Sequence, residues 1–248
     1  INIRSEHKER ILLMLKKERY KINTDWINNI QVNLSAIERR TATLVKRRTV
    51  KKDYQVAWLL KAITLLDLTT LEGDDTIGKV KKLCIKGLNP ISDELLKKLN
   101  IPNGTIHVGA ICVYHNLVSH AKKVLNGKLP IAAVSTGFPA GLSSFQTRKK
   151  EIVNSINDGA DEIDIVINRS FVLRNEWNKL YDEINDFKQA ANGKKLKVIL
   201  GTGNVGTLRN VAKASLVAMM AGADFIKTLS LIHISEPTRR YAISYGVL

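Results

Sequence analysis

A chain of 248 residues, 44% of them hydrophobic, is long enough for one large α/β domain or two small ones and apolar enough to pack a core. Its net charge of +16 raises nucleic-acid binding, but much of it sits in helical runs (Lys16-Lys17, Arg39-Arg40, Lys46-Arg47-Arg48, Lys51-Lys52) without a zinc, RNA-recognition or helix-turn-helix signature. No apolar run approaches ~18 residues, which argues against a membrane span, and the two cysteines, Cys84 and Cys112, give neither a metal spacing nor a disulfide framework.

Residues 1–21 are basic but carry Glu6, Glu9 and Glu18 and lack a small-residue cleavage site, so neither a secretory signal nor a transit peptide is expected there. The first residue is Ile rather than Met, and a longer reading frame is expected upstream. Residues 26–62 read as helical, with stripes at Trp26, Ile27, Ile30 and Leu34 and again at Val56, Leu59, Leu60 and Ile63. Thr24 or Asp25 is the expected cap, and Trp26 and Trp58 are expected in the core. Residues 1–62 are thus taken as a helical extension ahead of a domain over 63–228.

From Thr64 the pattern changes to alternating strands and helices. Expected strands are Thr64–Thr70, His107–Tyr114, Pro130–Thr136, Glu162–Asn168, Leu196–Leu200 and Phe225–Thr228, with amphipathic helical stretches between them. The repeat is roughly thirty residues, and the strands are near-continuous apolar runs, as expected of a parallel sheet buried on both faces. A Rossmann-type sheet would need a glycine-rich phosphate turn after its first strand. Here that turn is Leu71-Glu72-Gly73-Asp74-Asp75, which would repel a phosphate. The expected fold class is therefore α/β, a (β/α)8 TIM barrel of which about six units are visible.

Two stretches repeat: Gly159-Ala160-Asp161-Glu162-Ile163-Asp164 and Gly222-Ala223-Asp224-Phe225-Ile226-Lys227. Each reads as helix end, glycine turn, strand, which gives Asp164 and Lys227 equivalent positions on alternate strands. Barrel chemistry gathers at the C-terminal strand ends, so the two are expected to meet across the mouth. Asp67 and Thr69 share one parity on the first strand, as do Ala110, Cys112 and Tyr114 on the second. A partly desolvated lysine there would have a lowered pKa and could attack a carbonyl, with Asp164 moving protons. A solvated or ion-paired lysine, or a buried Asp–Lys pair of purely structural purpose, is the alternative.

The ordered set of strand-end motifs resembles the eukaryotic type of deoxyribose-phosphate aldolase. It comprises Arg48-Thr49-Val50-Lys51-Lys52, Leu66 to Leu71 with Asp74-Asp75-Thr76, Ala110 to Tyr114, Gly137-Phe138-Pro139-Ala140-Gly141, Asp164 to Ser170, and Met219 to Thr228. The resemblance implies a class I, metal-independent and cofactor-free aldolase in the cytoplasm. It would reversibly cleave 2-deoxy-D-ribose 5-phosphate, in deoxyribonucleoside catabolism, to D-glyceraldehyde 3-phosphate and acetaldehyde. Lys227 matches the Schiff-base lysine and Asp164 the proton-relay aspartate. Asp67, Thr69 and Cys112 match residues around the substrate. The implied partner is a small phosphorylated sugar, and homo-oligomerisation is left open.

His115 stands where the family commonly has proline, and Asn204 where it has glutamate. After Thr228 the family pattern stops. The run Leu229 to Arg239 resembles a translated sequencing-library adapter, so residues 229–248 are expected to be a non-native tail and His233 is assigned no role. Without two further strands, one bearing a second lysine and the phosphate-binding glycines, this chain is expected to fold poorly and act weakly. Two alternatives stand beside the aldolase: an inactive barrel fragment, and a polyanion-binding protein using the basic N-terminal helices. Another barrel reaction, isomerase or lyase, is a third.

Overall fold

A computed structural model describes residues 21–44, 46–47 and 50–228. The basic stretch 1–20, the Arg48-Thr49 part of the first motif and the tail 229–248 lie outside the described residues. Six parallel strands form one sheet in the order β1-β2-β3-β4-β5-β6. They are β1 Asp67–Thr69, β2 Ala110–Tyr114, β3 Ile131–Ser135, β4 Glu162–Val166, β5 Lys195–Ile199 and β6 Phe225–Lys227. A strand order that follows the sequence is that of a singly wound barrel and not of a Rossmann sheet.

The sheet is strongly curled. In a flat sheet β1 and β5, four strands apart, would be separated by about 19 Å. Yet Lys197 Nζ on β5 lies 2.5 Å from Asp67 Oδ2 on β1. Alternation along each strand then makes an inside and an outside. Outward-facing Ile111, Val113, Ile131, Ala133, Ile163, Ile165, Leu196 and Val198 are buried in the main core. Inward-facing Cys112, Ala132, Val134, Val166 and Ile199 form a smaller core with Leu71 and Phe138.

The outer layer comprises α4 Ile77–Leu88, α5 Asp93–Lys98, α6 Val118–Leu125, α7 Phe145–Asn157, α8 Arg169–Leu173, α9 Trp177–Ala190 and α10 Leu208–Met220. Side-chain caps begin several of them: Thr76 accepts from the Lys79 N–H, Ser144 from Thr147 and Thr207 from Asn210. Among the described residues no helix is long and apolar enough to cross a membrane.

The helical reading of residues 26–62 holds among the described residues, as α1 Thr24–Asn29, α2 Leu34–Leu44 and α3 Lys52–Ile63, but the cap and the buried face differ from expectation. Asn23, rather than Thr24 or Asp25, caps α1 by accepting from the Trp26 N–H. Trp26 and Trp58, expected in the core, are 56% and 65% exposed. The reason is rotational: α1 turns Ile27 inward toward α10, leaving Trp26 on its outer side, and α3 buries none of its residues. Strand β1 starts at Asp67 instead of Thr64, because Leu65 and Leu66 still donate to the Ala62 and Ile63 carbonyls of the ending helix.

One buried ion pair clamps the outer layer. Arg148 on α7 meets Glu183 on α9, each side chain only 5% exposed, and Glu183 also accepts from the Asn168 N–H after β4. Removing one partner of such a pair strands the other charge. Arg148→Met should therefore destabilise the fold by about 3 kcal/mol in urea denaturation, and a loss below about 1 kcal/mol would show that the pair contributes little.

Candidate active site

The repeated Gly-Ala-Asp turns explain how the two key side chains are aimed. Gly159 and Gly222 take positive φ values of 105° and 95°, ending α7 and α10 in the left-handed conformation that suits glycine. Two residues on, the Asp161 N–H donates to the Ile131 carbonyl while its carboxylate accepts from the Ile131 N–H. Asp224 does the same to both backbone groups of Leu196. Each aspartate thus pins its own strand to the preceding neighbour. Asp164 and Lys227, each three residues later, inherit equivalent registers against those preceding strands, with Asp164 opposite Val134 on β3 and Lys227 opposite Ile199 on β5.

The two side chains meet. Lys227 Nζ is 2.6 Å from Asp164 Oδ2; the carboxylate is wholly buried and the lysine side chain 19% exposed. Cys112 completes the group, its Sγ 3.9 Å from both Asp164 Oδ2 and Lys227 Nζ. Burial pushes the Cys112 thiol up to about 12, with the neighbouring Asp164 carboxylate adding to the shift. It is therefore a neutral filler at ordinary pH rather than a nucleophile.

The expected lowering of the Lys227 pKa is not found. Burial acts in that direction, but the charge of Asp164 and its hydrogen bond outweigh burial, and the ammonium is held above the ordinary lysine value. In the resting site the pair is an ammonium carboxylate.

Asp67 reaches this group only through another residue. Its Oδ2 pairs with Lys197, whose Nζ also lies 2.6 Å from Glu162 Oε2 and 3.5 Å from Asp164 Oδ1. Those neighbouring carboxylates hold the Lys197 ammonium above the ordinary value against a strong opposing effect of burial. Neither Lys197 nor Glu162 was expected at the site. Parity could have found both, since Glu162 is two residues before Asp164 and Lys197 two before inward-facing Ile199. Thr69 stands in register with Cys112, but its hydroxyl donates to the Asp67 carbonyl, 2.8 Å away, rather than to the charged group.

Around the strand ends, the β3 loop is held by Glu151, which accepts from the Gly137 N–H at 2.9 Å and lies 2.9 Å from His115 Nδ1. The hydrogen bond to Glu151 raises the His115 pKa against the effect of burial. Phe138 from the same loop packs edge-to-face with Tyr114, 6.0 Å between centroids. Asn204 is exposed, in a short 3-10 turn after β5. Among the described residues no group of His, Cys, Asp and Glu could hold a metal ion.

Residues 61–232 match the DeoC/LacD family aldolase. The chain is 51% identical over 210 residues to the deoxyribose-phosphate aldolase of Homo sapiens, and equally so to that of Mus musculus. Each match covers 84% of this chain but 66% of the relative, just under two thirds of its length. A tetrameric deoxyribose phosphate aldolase from Aeropyrum pernix has the same fold, with a TM-score of 0.54 at 18% identity over 68% of this chain and 64% of that one.

The raised lysines make a pH prediction with a definite sign. Groups held above the ordinary lysine value of 10.5 stabilise the fold below that pH, and the contribution disappears as pH climbs through their folded values. Asp164→Asn should thus be less stable than the unaltered chain at pH 8, and the gap should narrow above pH 10.5. Urea denaturation across this range measures it; a gap independent of pH would contradict the ion-pair assignment.

Proposed function

This chain belongs to the DeoC/LacD aldolase family, and on that premise we propose that it is a class I aldolase using Lys227 as its imine-forming residue. The reaction is the reversible cleavage of 2-deoxy-D-ribose 5-phosphate to D-glyceraldehyde 3-phosphate and acetaldehyde. The observation that carries the reading is the 2.6 Å contact between Lys227 Nζ and the fully buried Asp164 carboxylate at the strand ends.

The chemistry follows from the ground state of that pair. An ammonium cannot attack, so its proton must first leave, and Asp164 Oδ2 is placed to take it. The free amine then adds to the C1 aldehyde of the open-chain sugar, and the proton returns to the departing hydroxyl as water forms. With C1 now an iminium, loss of the C3 hydroxyl proton lets the C2–C3 bond break. Its electron pair flows into the iminium to give an enamine, and the three-carbon aldehyde phosphate leaves. Protonation of the enamine at C2 and addition of water release acetaldehyde and restore the amine. Asp164 Oδ1, buried and without a hydrogen-bond donor among the described residues, is a natural acceptor for the hydroxyl or water that moves these protons.

Cys112 lines the site, and Asp67 acts through Lys197. Thr69, the last residue of β1 and on its inward face, is read as a contact for the sugar. The family match beginning at residue 61 supports a barrel domain from about residue 63, with the N-terminal helices as an extension. Cytoplasmic placement agrees with free thiols at both cysteines. A homo-oligomer is in keeping with the tetrameric relative and with the exposed Tyr54, Trp58 and Leu59 on α3.

Borohydride reduction in the presence of 2-deoxyribose 5-phosphate should leave one stable adduct, on the peptide containing Lys227. Lys227→Ala and Lys227→Arg should both abolish it and remove the weak turnover expected of this chain. An adduct mapped to a different lysine would sink the assignment, and full turnover in either variant would point to a different reaction.

A further inference from the structure

The inner face of the curled sheet holds more charge than the imine chemistry uses. Three carboxylates, Asp67 on β1 with Glu162 and Asp164 on β4, converge on Lys197 from β5, only 7% exposed. Lys227 from β6 meets one of the three. Asp164 is therefore shared: Oδ2 points to Lys227 at 2.6 Å, and Oδ1 faces Lys197 at 3.5 Å. That second contact is electrostatic, since Oδ1 accepts no hydrogen bond among the described residues.

A buried carboxylate between two ammoniums takes its orientation from both. We propose that Lys197 is a positioning residue: anchored by Asp67 and Glu162, its charge fixes the Asp164 carboxylate with one oxygen on Lys227 and limits how tightly that carboxylate holds the Lys227 proton. Lys197 touches neither Lys227 nor a reacting atom; it works through Asp164. The inference deepens the imine reading above and rests on it for its catalytic meaning.

The electrostatic sign is set by the groups that face Lys227. These are the Asp164 carboxylate from β4, the neutral Cys112 thiol from β2 and the charge of Lys197 from β5. Asp164 favours the ammonium, and Lys197 opposes it. Take the Lys197 charge away and Oδ1 confronts Asp67 and Glu162 with no cation between them. The negative cluster then binds the Lys227 proton more strongly. Neutralise Asp67 instead, and Lys197 loses one of its anchors while its charge is shared among fewer carboxylates. Asp164 is then drawn further from Lys227, and the Lys227 proton is released more easily.

These opposite signs give a test that a merely structural lysine would fail. Competitive labelling with isotopic acetic anhydride from pH 7 upward, read by mass spectrometry of the Lys227 peptide, measures the midpoint at which that amine becomes free. Lys197→Met should move the midpoint up by about one pH unit or more, and Asp67→Asn should move it down. Circular dichroism confirms that each labelled variant is folded. A Lys197→Met midpoint equal to that of the unaltered chain would overturn the proposal, as would both variants shifting the same way. Should Lys197→Met fail to fold, Asp67→Asn decides alone: a raised or unchanged midpoint overturns the proposal, and a lowered one upholds it. Acetic anhydride labelling needs no sugar phosphate, so failure of the imine reading in the borohydride experiment is distinguishable from failure here.

Discussion

The Asp164 carboxylate is wholly enclosed, and an enclosed charge is tolerated only where opposite charges meet it. Two do, Lys227 from β6 and Lys197 from β5, and Lys197 in turn reaches β1 through Asp67. This chain of charge crosses the sheet from one end to the other. It exists only because the sheet curls, since in a flat sheet no side chain on β5 could touch β1. Architecture and chemistry are therefore tied at one group: straighten the sheet and Lys197 loses Asp67, and with it the arrangement around Asp164.

The two faces of the sheet divide the work. Outside, branched aliphatic residues pack under the helices and supply most of the buried apolar surface. Inside, small residues such as Cys112 and Ala132 leave space, and the charged group occupies it alongside the smaller core of Leu71, Val134, Phe138, Val166 and Ile199. The Gly-Ala-Asp turns connect the two jobs. Each ends an outer helix in a left-handed turn and uses its aspartate to pin the start of a neighbouring strand, which sets the register of the side chain three residues later.

Much of this was legible in the residues. The alternation of strands and helices follows from apolar periodicity, and the Asp164–Lys227 encounter follows from the internal repeat, because equal spacing from equal turns gives equal register. Other features depend on partners that a one-dimensional pattern does not name. The stripe Trp26, Ile27, Ile30 and Leu34 is amphipathic, yet which of its residues turns inward is decided by what lies against it: Ile27 is buried and Trp26 is not. Lys197 lies inside the otherwise apolar run Leu196 to Leu200, and only the curl of the sheet brings three carboxylates to it. The sign of the Lys227 shift was missed because burial and a 2.6 Å carboxylate act in opposite directions, and only the distance decides between them.

The central claim is that Lys227, primed by Asp164, forms an imine with an aldehyde. It is tested most directly on the smaller product. Acetaldehyde bound as an imine must pass to the enamine and back, so in heavy water its methyl hydrogens exchange for deuterium without any sugar phosphate present. The account predicts proton NMR exchange that is catalysed by the unaltered chain and lost in Lys227→Ala. Exchange that survives Lys227→Ala, or a folded unaltered chain that catalyses none, would contradict it.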